Sequence, residues 1–208
     1  GIRTEIFLKG CPLRCRWCSN PESMRPHPEI GVYSSRCIGI DKCGHCLDAC
    51  PELGKGTLLR EDNLISGINR DVCLECLQCA DACPSNALMI WGKNLTIDSV
   101  MKTILADAEF YKKSGGGVTI SGGEPLVQWE YTLELLKECR KNNIHTCLES
   151  SLHVHPEILE QIYPFTDLII TDIKHMNLEK HREYTGVGNE LILSNIAKTV
   201  EAGKQVII

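Results

Sequence analysis

The sequence predicts an α/β protein built on a parallel sheet or barrel, with a cysteine-rich insertion in its first crossover. Three observations carry this expectation. Along residues 96–208, short apolar runs alternate with amphipathic runs at helical spacing, the pattern of βα units. Another apolar run, Thr4–Lys9, stands ahead of the first cysteines. Between the two, residues 31–95 hold eight of the 13 cysteines. The expected organisation is therefore 1–30 for the first strand and its loop, 31–95 for the insertion, and 96–208 for the rest of the α/β part.

Thr4–Lys9 reads as the first strand. Ile97, Val100, Met101, Ile104, Leu105 and Ala108 recur at helical spacing, with Thr96 or Asp98 as cap and Gly115-Gly116-Gly117 as terminator. Val118–Ser121 is a strand stopped by Gly122-Gly123. Gln128–Lys141 is an amphipathic helix, and Ile144–Glu149 is the next strand. Pro156–Tyr163 is a helix with proline early, where its missing N–H costs nothing. Asp167–Ile173 reads as a strand apolar on both faces, as in a buried parallel sheet. Glu190–Ala202 is a helix closed by Gly203, and Lys204–Ile208 is the fifth strand.

A chain of 208 residues with 43% hydrophobic and 24% charged residues can bury a core in one domain with a small insertion. Its 22 basic and 27 acidic residues give a net charge of −5, which supplies no basic footprint for nucleic acid or an anionic membrane. No apolar run approaches the roughly 18–20 residues of a membrane span. Both ends read as cut, since Gly1 leads almost directly into a strand and Ile208 closes one.

Cysteine is the compositional outlier, and an odd count argues against a secreted disulfide scaffold. Cys43, Cys46 and Cys50 recur 33 residues later as Cys76, Cys79 and Cys83, and Pro51 and Pro84 follow the last of each set. Only Cys37 breaks the offset, lying 36 residues before Cys73. The run Cys73, Cys76, Cys79, Cys83-Pro84 is the bacterial ferredoxin pattern, in which three thiolates hold one 4Fe–4S cluster and the fourth reaches the other. Crossed ligation then assigns Cys37, Cys43, Cys46 and Cys83 to one cluster, and Cys73, Cys76, Cys79 and Cys50 to the other. A pair of structural zinc sites is the alternative. Cys139 and Cys147 read as buried core thiols, and His45 as a solvated loop residue.

In parallel α/β sheets, sites form at the C-terminal strand ends. The triad Cys11, Cys15 and Cys18 follows the first strand, Gly122-Gly123-Glu124-Pro125 the second, Glu149-Ser150-Ser151 the third, and Asp172 and Lys174 the fourth. All four clusters therefore fall on one edge. Three cysteines on a four-iron cluster leave one iron open, as a catalytic metal centre requires.

The spacing C-x3-C-x2-C, with Trp17 before the third cysteine, is the motif of radical S-adenosylmethionine enzymes, and the chain resembles that superfamily. Gly1-Ile2-Arg3-Thr4, the run Phe7 to Cys15, and Trp17-Cys18-Ser19-Asn20-Pro21-Glu22 resemble the start of glycyl-radical-enzyme activating enzymes. Ser121-Gly122-Gly123-Glu124-Pro125, Asp172-Ile173-Lys174-His175-Met176 and Thr185-Gly186 are similar to the same family. The double ferredoxin-like segment is similar to its larger members.

This resemblance implies a partial (β/α) barrel, with five of six strands present and the ferredoxin-like domain inserted. It implies three 4Fe–4S clusters, the first on Cys11, Cys15 and Cys18, with S-adenosylmethionine chelated at the open iron. Trp17 and Ser19 would approach the adenosyl part. The backbone of Ser121, Gly122 and Gly123 would receive the methionine ammonium, with Glu124 assisting it or bracing the loop. Lys174 would reach the ribose or carboxylate, with His175 beside it. Glu149, Ser150 and Asp172 would hold the methionine end, in some relatives through a monovalent cation, although Glu149 and Ser151 depart from the smaller activase's pattern. The implied activity is reductive cleavage of S-adenosylmethionine to a 5′-deoxyadenosyl radical, which takes hydrogen from a backbone glycine of a large glycyl radical enzyme. No catalytic acid or base is expected. Electrons would come from a donor such as flavodoxin or ferredoxin, relayed by the two further clusters. Another radical enzyme acting on a small molecule, a ferredoxin-type electron carrier, and a zinc-binding interaction module are the alternatives. Cluster thiolates need reducing surroundings, so a cytoplasmic location is expected.

Overall fold

A computed structural model describes every residue from Gly1 to Ile208. In chain order its elements are β1 (Arg3–Leu8), β2 (Glu29–Val32), α1 (His45–Asp48), β3 (Leu58–Glu61), β4 (Leu64–Ile68), α2 (Gln78–Asp81) and β5 (Leu88–Trp91). Then follow α3 (Ile97–Ala106), α4 (Ala108–Ser114), β6 (Gly117–Gly122), α5 (Trp129–Lys141), β7 (His145–Glu149) and α6 (Pro156–Ile162). The chain closes with β8 (Leu168–Ile170), α7 (Leu178–Thr185), α8 (Glu190–Glu201) and β9 (Gln205–Ile207). The residues fall into two compact units, one made of 1–26 and 95–208, the other of 27–94.

The first unit is an α/β sheet of five strands in the order β1-β6-β7-β8-β9, parallel throughout. Side chains alternate across it. Ile6, Leu8, Val118, Ile120, Leu148 and Ile169 point into one core with Val100, Met101 and Ile104 of α3, Leu133, Leu135 and Leu136 of α5, Leu159 and Ile162 of α6, and Ile192 and Ile196 of α8. Burying each such side chain stabilises the fold by about 1.5–3 kcal/mol. The opposite sheet face is polar. There Arg3 Nε donates to Thr119 Oγ1 at 2.8 Å, and Arg3 Nη1 lies 3.2 Å from His145 Nδ1.

Several elements differ from the sequence expectation, each for a local reason. The helix read from Ile97 to Gly115 is two helices. It breaks at Asp107, whose carboxylate accepts from Thr4 Oγ1 on β1 at 2.6 Å while its carbonyl starts α4. Thr96, not Asp98, caps α3 by accepting from the Ser99 N–H. The fourth strand is only Leu168–Ile170, and it is not buried on both faces. Ile169 is buried in the core, whereas Leu168 and Ile170 are half-buried on the polar side. Helix α7 has no counterpart in the sequence reading. It is polar almost all round, buries only His181 and Thr185, and contributes nothing to the main core. Its start is legible in retrospect, because Asn177 Oδ1 accepts from the Lys180 N–H at 3.0 Å.

The second unit has its own core, from Ile30, Cys46, Leu58, Ile65, Cys79, Ala80 and Leu88. Two antiparallel pairs, β2 with β5 and β3 with β4, frame it. The 33-residue repeat is a structural repeat. The one-turn helices α1 and α2 each follow a left-handed residue, Gly44 at φ 70° and Leu77 at φ 64°. They place Cys46 and Cys79 at equivalent buried positions.

Cys139 and Cys147 are buried in the first unit. Burial pushes the Cys139 thiol up to about 12 and raises that of Cys147. Since the thiolate is the reactive form, both should stay unmodified by iodoacetamide at pH 8 in the native protein and react once it is denatured. Mass spectrometry of the alkylated peptides checks this, and rapid native labelling of Cys139 would contradict the packing.

Candidate active site

The C-terminal ends of β1, β6, β7 and β8 open onto one cavity of about 330 Å³. After Leu8 the chain turns at Gly10, with φ +101°. Gly10 and Cys11 donate their N–H groups to the Ser23 and Met24 carbonyls at 2.7 and 3.1 Å. Cys18 N–H donates to Cys15 O at 3.1 Å, closing the loop into a tight turn. Cys11, Cys15 and Cys18 thereby line the same cavity as Trp17 and Ser19. Burial, with the neighbouring sulfurs, raises the Cys11 and Cys15 thiols, and the Lys174 ammonium counters this at Cys15. A cationic core among these sulfurs would invert that balance.

β6 and the loop after it contribute Ser121, Gly122 and Gly123 to the wall. Gly122 sits at φ +113°, and a Cβ there would collide with the Leu8 backbone. A Cβ on Gly123 would collide with Gly10 O and Ser23 O. The glycines therefore let the β1 and β6 loops touch, a demand independent of any ligand. The Gly123 N–H donates to Leu8 O at 2.8 Å, and the Glu124 N–H to Gly10 O at 2.7 Å.

Glu149, Ser150, Asp172 and Lys174 complete the cavity lining foreseen from the sequence. Ser121 Oγ donates to Glu149 Oε2 at 2.8 Å, and Lys174 Nζ donates to Asp172 Oδ2 at 2.7 Å. Ser151, placed on this edge by the sequence, lines the cavity too, and four further lining residues escaped the sequence reading: Glu5, Phe7, Leu13 and Asn20. Glu5 and Phe7 were legible in principle, because they alternate with the core-facing Ile6 and Leu8 on β1.

Two expected site residues lie elsewhere. Glu124 is 1% exposed and does not line the cavity. Its Oε1 accepts from Leu126 N–H at 3.1 Å and Ser150 Oγ at 2.7 Å, and its Oε2 from Ser151 N–H at 2.8 Å and Ser151 Oγ at 2.6 Å. A carboxylate has about four acceptor positions, so none is left for a ligand ammonium. Of the two roles considered for Glu124, bracing the loop is the one its bonds perform. His175 also stands outside the lining, with its Nδ1 accepting from the Asn177 N–H at 2.9 Å.

In the second unit the thiols gather in two sets. Cys37, Cys43, Cys46 and Cys83 line one void, and Cys50, Cys73, Cys76 and Cys79 line another. Burial and then the neighbouring sulfurs raise Cys46, and the same causes push Cys79 up to about 12. Cys83 is the exception. Burial alone would raise it, but donors from Leu88, Ser85 and Ala87 outweigh burial and hold it below the usual thiol range. In each set the four sulfurs stand around a space.

Residues 79–208 match the family described as "Radical SAM superfamily". The chain belongs to this superfamily. Residues 29–84 match "4Fe-4S dicluster domain". The radical SAM match begins after the Cys11–Cys18 loop, so the placing of that loop beside the matched strands rests on the geometry above. The chain is 47% identical over 208 residues to a (2S)-3-sulfopropanediol dehydratase activating enzyme of Klebsiella oxytoca, covering 100% of this chain and 65% of that protein. It is 44% identical to an isethionate sulfite-lyase activating enzyme of Nitratidesulfovibrio vulgaris, covering 94% and 63%. It is 40% identical to a 4-hydroxyphenylacetate decarboxylase activating enzyme of Clostridioides difficile, covering 95% and 62%. The chain thus spans slightly less than two thirds of these relatives' lengths. No helix is long and apolar enough to cross a membrane.

Within this radical SAM unit, Glu124 ties three loops together, and its replacement should loosen them together. Glu124→Gln turns one acceptor oxygen into an N–H donor, which then faces either the Leu126 or the Ser151 N–H, and should cost about 1–3 kcal/mol of stability. Chemical denaturation of the reconstituted protein measures it, and an unchanged midpoint would show that the carboxylate is dispensable.

Proposed function

We propose that this chain is the catalytic part of a glycyl-radical-enzyme activating enzyme, with a triad cluster on Cys11, Cys15 and Cys18 and two ferredoxin-type clusters. The observation that carries the reading is the single cavity in which three thiols meet the ends of four parallel strands. Its charge suits the ligand. Glu5, Glu149 and Asp172 are lining carboxylates against one lining ammonium, Lys174, and S-adenosylmethionine brings a sulfonium and an ammonium. The volume lies within the usual range for small-molecule sites.

When bound, the triad cluster and S-adenosylmethionine supply the electron and the 5′-deoxyadenosyl radical that removes hydrogen from a backbone glycine of a large partner enzyme. The protein's own groups bind and orient. Glu149, Ser150 and Asp172 would receive the methionine ammonium together with the backbone of Ser121, Gly122 and Gly123, and Lys174 the ribose or carboxylate. Trp17 and Ser19 would flank the adenosyl part. Lys174 already neutralises Asp172, so this reading assigns charge balance there to Lys174 rather than to a monovalent cation. Water exclusion falls to Phe7, Leu13 and Trp17 along the wall.

The same reading takes the five-stranded sheet as part of a (β/α) barrel with residues 31–95 inserted, and places the protein in the cytoplasm. The two thiol sets of the second unit support closed clusters with crossed ligation, of the kind that relays electrons from flavodoxin or ferredoxin.

Reconstituted protein should carry about 12 irons per chain, and Cys15→Ala about 8. The variant should also lose reductive formation of 5′-deoxyadenosine. Cleavage that survives in Cys15→Ala would overturn the site assignment. The relay is tested separately: Cys46→Ser with Cys79→Ser should slow flavodoxin-driven cleavage, and an unchanged rate would remove the relay role.

A further inference from the structure

Helix α7 ends against the triad loop. An α-helix leaves its last carbonyls without intrahelical donors, and here the cysteine loop supplies them. Arg14 N–H donates to Thr185 O at 2.6 Å, and Arg16 N–H to Tyr184 O at 3.0 Å. The turn that presents these carbonyls is itself fixed. Thr185 is buried, and its Oγ1 donates to His181 O at 2.7 Å. Gly186 takes the left-handed conformation at φ +82°, returning its N–H to Arg182 O.

The Tyr184 ring meets three side chains at this junction. Trp17, on the cavity wall and 52% exposed, packs edge-on at 6.0 Å between centroids. The Arg16 guanidinium sits 5.2 Å from the ring centroid, with Arg16 Nη1 also 3.4 Å from Glu183. His175, directly after Lys174, lies 6.3 Å away on a tilted plane. One ring thus touches the segment that carries two cluster cysteines and the segment that carries Lys174 to the cavity.

We infer that Tyr184 is a positioning residue, holding the Cys11–Cys18 loop and the Trp17 ring in place and linking them to the Lys174 loop. The inference deepens the S-adenosylmethionine reading above and rests on it for the ligand, but not for the loop. Aromatic pairs and exposed cation–π contacts are each worth a several-fold effect.

The experiment is hydrogen exchange on the iron–sulfur-reconstituted protein, followed in the peptide containing Arg14 and Arg16. Tyr184→Leu keeps bulk and removes the ring, and should speed exchange there about 3–10-fold while peptides from α5 and α8 keep their rates. Tyr184→Phe keeps the ring and should behave as the parent. Binding of S-adenosylmethionine by calorimetry should weaken about 3–10-fold in Tyr184→Leu and not in Tyr184→Phe. If exchange at Arg14 and Arg16 is the same in Tyr184→Leu as in the parent, the inference is wrong. It is also wrong if Tyr184→Phe is as impaired as Tyr184→Leu, because the hydroxyl would then be the active feature. Should Tyr184→Leu fail to fold, Trp17→Leu removes the same ring contact from the other side and must produce the same local acceleration. A parent protein that binds no S-adenosylmethionine would sink the proposed function, while the exchange result still decides the role of Tyr184.

Discussion

The buried carboxylate of Glu124 is the point on which the site's geometry turns. It stands at the start of the turn leading into α5, between the β1 loop, which its own N–H reaches through Gly10 O, and the β7 loop, which its oxygens hold through Ser150 and Ser151. An ionised carboxylate taken out of water is costly unless its lone pairs are filled. Four donors fill them here, two of them backbone amides, Leu126 in the turn ahead of α5 and Ser151 just beyond β7. The bracing continues outward: Leu152 N–H donates to Ser150 Oγ, and Asn195 from α8 donates to the Leu152 and Val154 carbonyls at 2.8 Å each. The wall of the cavity is thereby tied to the helical layer behind the sheet.

The thiols pose a different electrostatic problem. Each set gathers sulfurs where burial and mutual repulsion disfavour thiolates, most strongly at Cys79. Left to themselves such thiols stay protonated, so a positive core that took them as thiolates would have to displace their protons. Cys83 shows the complementary device, since amide and hydroxyl donors already stabilise its thiolate. Hydrogen bonds to cluster sulfurs are one of the protein's levers on reduction potential, so the two sets of the second unit are not electrostatic copies despite the sequence repeat.

A division of labour runs through the first unit. One sheet face is apolar and spent on the helices, while the other keeps Glu5, Phe7, Ser121 and Glu149 for the cavity. Helix α7 belongs to neither layer. Its stability comes from the Asn177 cap, the buried His181–Thr185 contact and the loop amides it receives, rather than from an apolar stripe. A helix held in that way is tied to the loop it holds, which gives Tyr184 its place at the junction.

Much of this was legible in the chain alone. Alternation of apolar periods gave the five strands and most of the helices along the chain, because periodicity is a local property of neighbouring residues. Cysteine spacing grouped the same thiols that the fold gathers, Cys11, Cys15 and Cys18 in one cavity and two sets of four around separate voids, because spacing fixes which sulfurs can come together. The strand-end rule brought Cys11, Ser121, Glu149 and Lys174 to one edge. Other features needed the fold. Asp107 breaks a helix because Thr4, 103 residues away, donates to it. Glu124 reads as a ligand residue beside two glycines, and only the return of the β7 loop shows its oxygens already occupied. Helix α7 has too little apolar periodicity to be seen, since its partners are amides of the cysteine loop rather than a core. The sequence by itself determined which polar clusters reach the strand ends, through period and spacing; the tertiary structure decided which of their side chains line the cavity and which are already occupied, because hydrogen-bond partners distant in sequence compete for the same polar atoms.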